Sequence, residues 1–96
     1  MKRNYETLFI IGDRDDEQIE KIIKNVEEFI SSAGGEIQNV DKWGKKRLSY
    51  EIEKQKIGFY TLINFEAEAN KISALENFYK HNEDVIRSIV VRKSKK

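Results

Sequence analysis

Apolar positions along this chain follow two rhythms. Residues 3–11 are rich in β-branched, aromatic and aliphatic side chains and stop at Gly12, which predicts a strand. Asp13, Asp15, Asp16 and Glu17 then predict a helix start, because carboxylates accept from the free N–H groups of a first turn and favour its positive dipole end. Ile19, Ile22, Ile23, Val26, Phe29, Ile30 and Ala33 recur at spacings of three and four, one apolar helical stripe. Gly34-Gly35 ends it, since glycine takes the left-handed C-cap conformation without steric cost. Residues 36–53 read as a long extended stretch, opened by Ile37 and Val40 and alternating through Leu48, Tyr50 and Ile52. Trp43-Gly44 interrupts that alternation and predicts a bulge or a close backbone approach. Residues 54–58 are expected as a turn, residues 59–66 as a strand, and residues 67–70 as the lead into a second helix. That helix carries Ile72, Leu75, Phe78 and Tyr79 on its apolar face and ends at His81-Asn82. Residues 85–93 form the last strand, followed by Ser94-Lys95-Lys96.

The order strand, helix, strand, strand, helix, strand is the split βαβ pattern of ferredoxin-like α+β folds. Two right-handed crossovers then give a four-stranded antiparallel sheet with both helices on one face and spatial order four, one, three, two. A sheet covered on one face normally alternates apolar and polar residues. Here Thr7, Phe9 and Ile11 point one way, yet Leu8 and Ile10 are apolar on the other; Phe59, Ile63 and Phe65 oppose Tyr60 and Leu62; Ile86 and Val90 oppose Ile89 and Val91. An uncovered apolar face marks a partner surface, or stays wet as a weakly hydrophobic one.

The chain has 96 residues, one domain's worth (1–96), with no cysteine or proline. Disulfide and thiolate chemistry are excluded, and no linker is visible. No apolar stretch approaches a membrane span, and the run from Leu8 to Ile11 is too short for a signal peptide. A formal net charge of +1 conceals an uneven distribution. Residues 1–3, 42–47 and 87–96 hold 11 of the 18 Lys and Arg and no Asp or Glu, while the other 77 residues carry 7 basic and 17 acidic side chains. An acidic body confines polyanion binding to the basic spots. The predicted topology makes the start of strand one and the end of strand four neighbours, so Lys2 and Arg3 meet Arg92, Lys93, Lys95 and Lys96 in one cluster. Residues 42–47 lie on the opposite edge. Frayed basic ends and a solvated charge run are the plain alternative.

Signals for catalysis are poor. His81, the single histidine, stands where a helix ends and reads as a cap. Asp13, Asp15 and Asp16 resemble the opening of a calcium loop, but the glycine and closing glutamate are not at the required spacing. No phosphate-binding glycine loop, nucleophile elbow or metal spacing is present, so no cofactor, metal or small-molecule substrate is expected. The run Lys45-Lys46-Arg47-Leu48-Ser49-Tyr50 is more informative. Its cations suit phosphates, and Tyr50 with Trp43 offers rings on which bases can stack. Lys46, Leu48 and Tyr50 share one strand face, and Lys45, Arg47 and Ser49 the other. Equally, Leu48 and Tyr50 can be core and the charges protection for an edge strand. Tyr60 in the aromatic strand can stack on a base or pack on a protein, although no Gly or Ala follows Phe59 as an RNA-recognition motif requires.

Four segments carry a family resemblance over nearly the whole chain: Arg3-Asn4-Tyr5-Glu6; Gly44-Lys45-Lys46-Arg47-Leu48-Ser49-Tyr50-Glu51-Ile52; Gly58-Phe59-Tyr60 with Asn64-Phe65; and residues 84–92. Together they resemble the bacterial small-subunit (30S) ribosomal protein S-six (S6) family. The resemblance implies a ferredoxin-like, non-enzymatic protein of the cytoplasmic ribosome that binds ribosomal RNA with ribosomal protein S-eighteen (S18) as a heterodimer. Carried over by motif, Arg3, Tyr5, Lys46, Arg47, Tyr50, Arg87 and Arg92 are candidate contacts; Lys2, Lys45, Tyr60 and Lys93 join them from the charge and aromatic pattern. Glu51 and Ser49 depart from the family's usual proline and alanine. Unlike proline, Glu51 retains a backbone N–H, and it sets a negative charge beside the basic run. The competing class is a ferredoxin-like protein- or ligand-binding module unrelated to the ribosome. An acylphosphatase-type enzyme shares the topology, but its anion cradle would fall on Gly12-Asp13-Arg14-Asp15-Asp16, whose carboxylates repel phosphate.

Overall fold

The computed structural model describes residues 2–52 and 54–93. Its elements run β1 (Lys2–Ile11), α1 (Asp16–Ser32), β2 (Glu36–Ile52), β3 (Gln55–Glu68), a 3₁₀ turn (Ala69–Lys71), α2 (Ile72–Lys80) and β4 (Val85–Arg92). The strands form one antiparallel sheet ordered β2-β3-β1-β4, the ferredoxin-like arrangement. Asp15 caps α1, its carboxylate accepting from the Gln18 N–H at 2.8 Å. After Ser32, Gly34 takes a φ of +87°, and Gly35 packs so closely that an added Cβ would lie 2.8 Å from Ile30 Cγ2. Both halves of the Gly34-Gly35 stop therefore have a steric reason.

The main core lies between one sheet face and the helices. Phe9, Ile11, Ile63 and Phe65 from the sheet meet Ile19, Ile23, Val26 and Ile30 of α1 and Leu75 and Tyr79 of α2. Thr7 is a polar insertion in that layer, with its hydroxyl 2.9 Å from the Tyr79 hydroxyl and donating to the Ile89 carbonyl at 3.1 Å. Burial pushes the Tyr79 phenol well above its ordinary pKa, and the Thr7 hydrogen bond offsets only part of that.

Three irregularities shape β2. Its register against β3 shifts between Ile37 and Asn39, between Lys42 and Gly44, and between Arg47 and Ile52. The middle shift is the bulge expected at Trp43-Gly44, with Gly44 at a φ of +94°. Two expectations need correction. The turn after β2 is tighter than residues 54–58: Lys54 turns the chain with a φ of 66°, and β3 is already paired at Gln55. On β4, Ile86 and Val90 do not share a face. Ile11 pairs with Val85 and Ile10 with Arg87, leaving Ile86 as an extra, bulged residue. Val85 and Val90 therefore pack on the helix-side core, whereas Ile86 joins Ile10 and Leu48 in a second, smaller cluster.

Candidate nucleic-acid interface

The second cluster lies on the sheet face away from the helices, and its geometry depends on a missing side chain. Gly58 occupies β3 between Leu48 of β2 and Ile10 of β1. A Cβ there would sit 2.4 Å from Ile10 Cγ2 and 3.3 Å from Leu48 Cδ2. The vacancy lets residues from strands that are not neighbours touch, and Ile52 and Tyr60 pack around them. Leu48 is thus buried, as the core reading of its motif expected, whereas Tyr50, which that reading also placed in the core, is exposed.

Aromatic and cationic groups surround this apolar floor. The Trp43 ring, carried out of the ladder by its bulge, stacks on Tyr60 with centroids 6.2 Å apart and planes 9° from parallel. The Trp43 indole N–H donates to Asp41 Oδ2 at 3.1 Å, which holds the ring in that pose. Tyr50 is 62% exposed, and its hydroxyl accepts from Arg87 Nη1 at 2.7 Å. Tyr50 comes from β2 and Arg87 from β4, so this one hydrogen bond links the two edge strands. Tyr50, Arg87, Ser49 and Tyr60 wall a hollow of about 190 Å³ above Ile10, Leu48 and Ile52. Nearer β4, Ile89 and Val91 stand half-exposed beside Leu8 and Glu6, with which they pair.

The basic residues separate into three groups. Arg92 pairs with Tyr5, and the Lys93 N–H donates to the Asn4 carbonyl at 2.9 Å, so Lys2 and Arg3 lie beside Arg92 and Lys93 as the topology predicted. Lys95 and Lys96 of that cluster lie outside the described residues. Lys46 and Arg47 are exposed on the β2 edge, opposite Gly58 and Ile57. Lys42 and Lys45 turn toward the helix layer, where Lys42 bonds Glu20 at 2.8 Å and Lys45 meets Asp13 at 3.6 Å. The acidic body therefore partly neutralises two of the four cations in residues 42–47. Tyr5 is corrected as a surface candidate: it is 6% exposed and stacks on Phe65 in the core, because odd-numbered β1 positions face the helices. His81 caps α2, its Nδ1 2.8 Å from the Asn77 carbonyl oxygen.

Sequence spacing does not predict the Tyr50–Arg87 link. Both residues were candidates, but nothing in spacing alone says that opposite edges meet. The isolated Gly58 was the available signal, since a glycine inside a strand marks a place where something crosses.

Among the described residues, no group of three or more His, Cys, Asp and Glu is placed to hold a metal ion, and no helix is long and apolar enough to cross a membrane.

The family described as ribosomal protein S6 matches residues 4–92. Small ribosomal subunit protein bS6 of Carboxydothermus hydrogenoformans is 38% identical over 96 residues, covering 99% of this chain and 100% of that one. The bS6 protein of Clostridium beijerinckii is 44% identical over 92 residues, covering 93% and 95%. The crystal structure of 30S ribosomal protein S6 from Thermotoga maritima superposes with a TM-score of 0.92 at 33% identity, covering 97% of this chain and 89% of that one. An uncharacterized protein of the same organism, 18% identical, reaches a TM-score of 0.60 over 98% of this chain and 100% of its own; it shares the fold. The match in sequence, fold and length leads to one assignment: the chain belongs to the ribosomal protein S6 family, structural and non-enzymatic components of the small ribosomal subunit.

Proposed function

We propose that this protein binds small-subunit ribosomal RNA jointly with ribosomal protein S18, with the uncovered sheet face as the docking surface and the basic groups as phosphate clamps. The observation that carries this reading is the composition of that face. Trp43 and Tyr60 form one ordered aromatic platform, Ile89 and Val91 are half-exposed, and Lys46, Arg47 and Arg87 stand at its margin. Such a face suits an apolar partner in its middle and phosphates at its rim. A protein of near-neutral net charge with an acidic helix layer gains little from diffuse attraction to RNA, so a partner that completes the RNA surface fits its charge distribution. Lys2, Arg3, Arg92 and Lys93 form a second clamp at the far end of the sheet, and Lys45 contributes less because Asp13 accompanies it.

Salt-dependent binding of the S18 complex to ribosomal RNA tests the clamps. Arg47→Ala and Arg92→Ala each lower the slope of log affinity against log salt by about one, the value for a lost phosphate contact. Unchanged slopes in both variants would remove the phosphate assignment. Co-sedimentation with small subunits at moderate salt tests assembly, and loss of S18 from that fraction tests the partner.

A further inference from the structure

The two edges of the sheet are built differently. The β2 edge is broken by three register shifts and carries Lys42, Lys45, Lys46 and Arg47, the devices that keep an edge strand from pairing with another chain. The β4 edge has one bulge, at Ile86; from Arg87 to Arg92 it pairs with β1 without interruption. It has no proline and no carboxylate, and among the described residues nothing pairs with its outer side.

The hydrogen bond from the Lys93 N–H to the Asn4 carbonyl fixes which backbone groups are spoken for. In an antiparallel pair, bonded and non-bonded residue pairs alternate. Lys93, Val91, Ile89 and Arg87 therefore direct their N–H and C=O groups toward β1, and Ser88, Val90 and Arg92 direct theirs outward. Ile89 and Val91 are also the two half-exposed apolar side chains on this strand, both on the uncovered face. The strand thus offers a row of backbone donors and acceptors with an apolar strip alongside.

We propose that the β4 edge receives an extended segment of a protein partner, which adds a fifth strand to the sheet. Main-chain bonds to Ser88, Val90 and Arg92 would supply the affinity, and alternate apolar residues of the segment would continue the strip of Ile89 and Val91. The polar positions of that segment are acidic or uncharged, because Arg87, Arg92 and Lys93 flank the edge and no carboxylate of β4 balances them. The same charges disfavour a second copy of this chain. The antiparallel register that uses all three outward residues on both copies sets Arg87 opposite the second copy's Lys93 twice, and like charges directly opposite are destabilising. This inference stands apart from the identity of whatever covers the middle of the face.

The probe is a synthetic peptide of alternating Val and Thr or Glu, titrated into the isotopically labelled full chain. The expected result is that amide exchange slows about tenfold or more at Ser88, Val90 and Arg92, with no such change on β2. Replacing the peptide's Glu by Lys weakens the effect. Ser88→Pro removes an outward N–H while leaving every β1 bond in place, and it lowers peptide affinity by up to about tenfold, as one lost hydrogen bond does. The exchange pattern of the unsubstituted chain decides the matter if that variant folds poorly. No protection on β4 at millimolar peptide, equal protection on β2, or a chain that dimerises alone with the same amides protected would each overturn the proposal.

Discussion

The sheet has two apolar faces, and they differ in how their apolar residues are used. Under the helices, Phe9, Ile11, Ile63 and Phe65 are essentially solvent-free and meet side chains from both helices. On the other face, Ile10, Leu48 and Ile86 make a small cluster gathered over Gly58, and Trp43, Tyr50, Ile89 and Val91 remain 44–62% exposed. The first face holds the fold together; the second retains ordered but uncovered apolar surface. Hydrophobicity alone does not separate the two. What separates them is whether a helix follows the strand on that side, and the crossover handedness fixes this.

Substitutions on the two faces should divide cleanly between stability and assembly. The largest effect is Phe9→Ala, which removes a fully buried ring and costs about 3–5 kcal/mol in denaturant unfolding. Gly58→Ala forces a methyl into the Ile10 side chain and costs about 1–3 kcal/mol, with loosening concentrated on the open face. Equal exchange of helix-side and open-face amides in that variant would show that the faces are not separable. On the proposed docking of S18 and RNA, Trp43→Ala leaves unfolding within about 1 kcal/mol of the parent yet weakens that assembly by about 2 kcal/mol, as truncation of an interface anchor does. An assembly defect no larger than the stability defect would break the comparison. The smallest effect is at Tyr79→Phe, which costs about 1 kcal/mol at neutral pH through the lost Thr7 hydrogen bond. It also alters the pH response. The folded phenol resists ionisation while the unfolded one ionises from its ordinary value of 10.0, so this contribution is fully present below that pH and is lost as pH rises above it. Unfolding of Tyr79→Phe across that range should show a shallower alkaline decline than the parent.

Much of this was readable from residue order. The helix caps at Asp15 and Gly34, the strand order, the bulge at Trp43-Gly44 and the meeting of Arg3 with Arg92 all follow from local rules plus chain topology. Expectation and structure part most clearly where one extra residue changes a strand's phase. The bulge at Ile86 reverses the face of Ile86 and of Val85 before it, and strict alternation along β4 cannot reveal that. Tyr5 departs for a different reason: the family resemblance carries it over as a contact, while its parity with Thr7 and Phe9 puts it on the helix-side face. The candidate site was legible as a set of residues. Its internal pairing was not, because Tyr50–Arg87 and Lys45–Asp13 join positions 37 and 32 residues apart through side chains alone.

The bulge that carries Trp43 onto the uncovered face also gives the protein an optical reporter. The chain has one tryptophan, and its ring is 44% exposed, well away from the helix-side core. Its emission will therefore be red-shifted in the free protein and respond weakly to changes in core packing. A partner that settles over the Trp43–Tyr60 stack will shift that emission to the blue, so docking can be followed on the unlabelled protein by fluorescence alone.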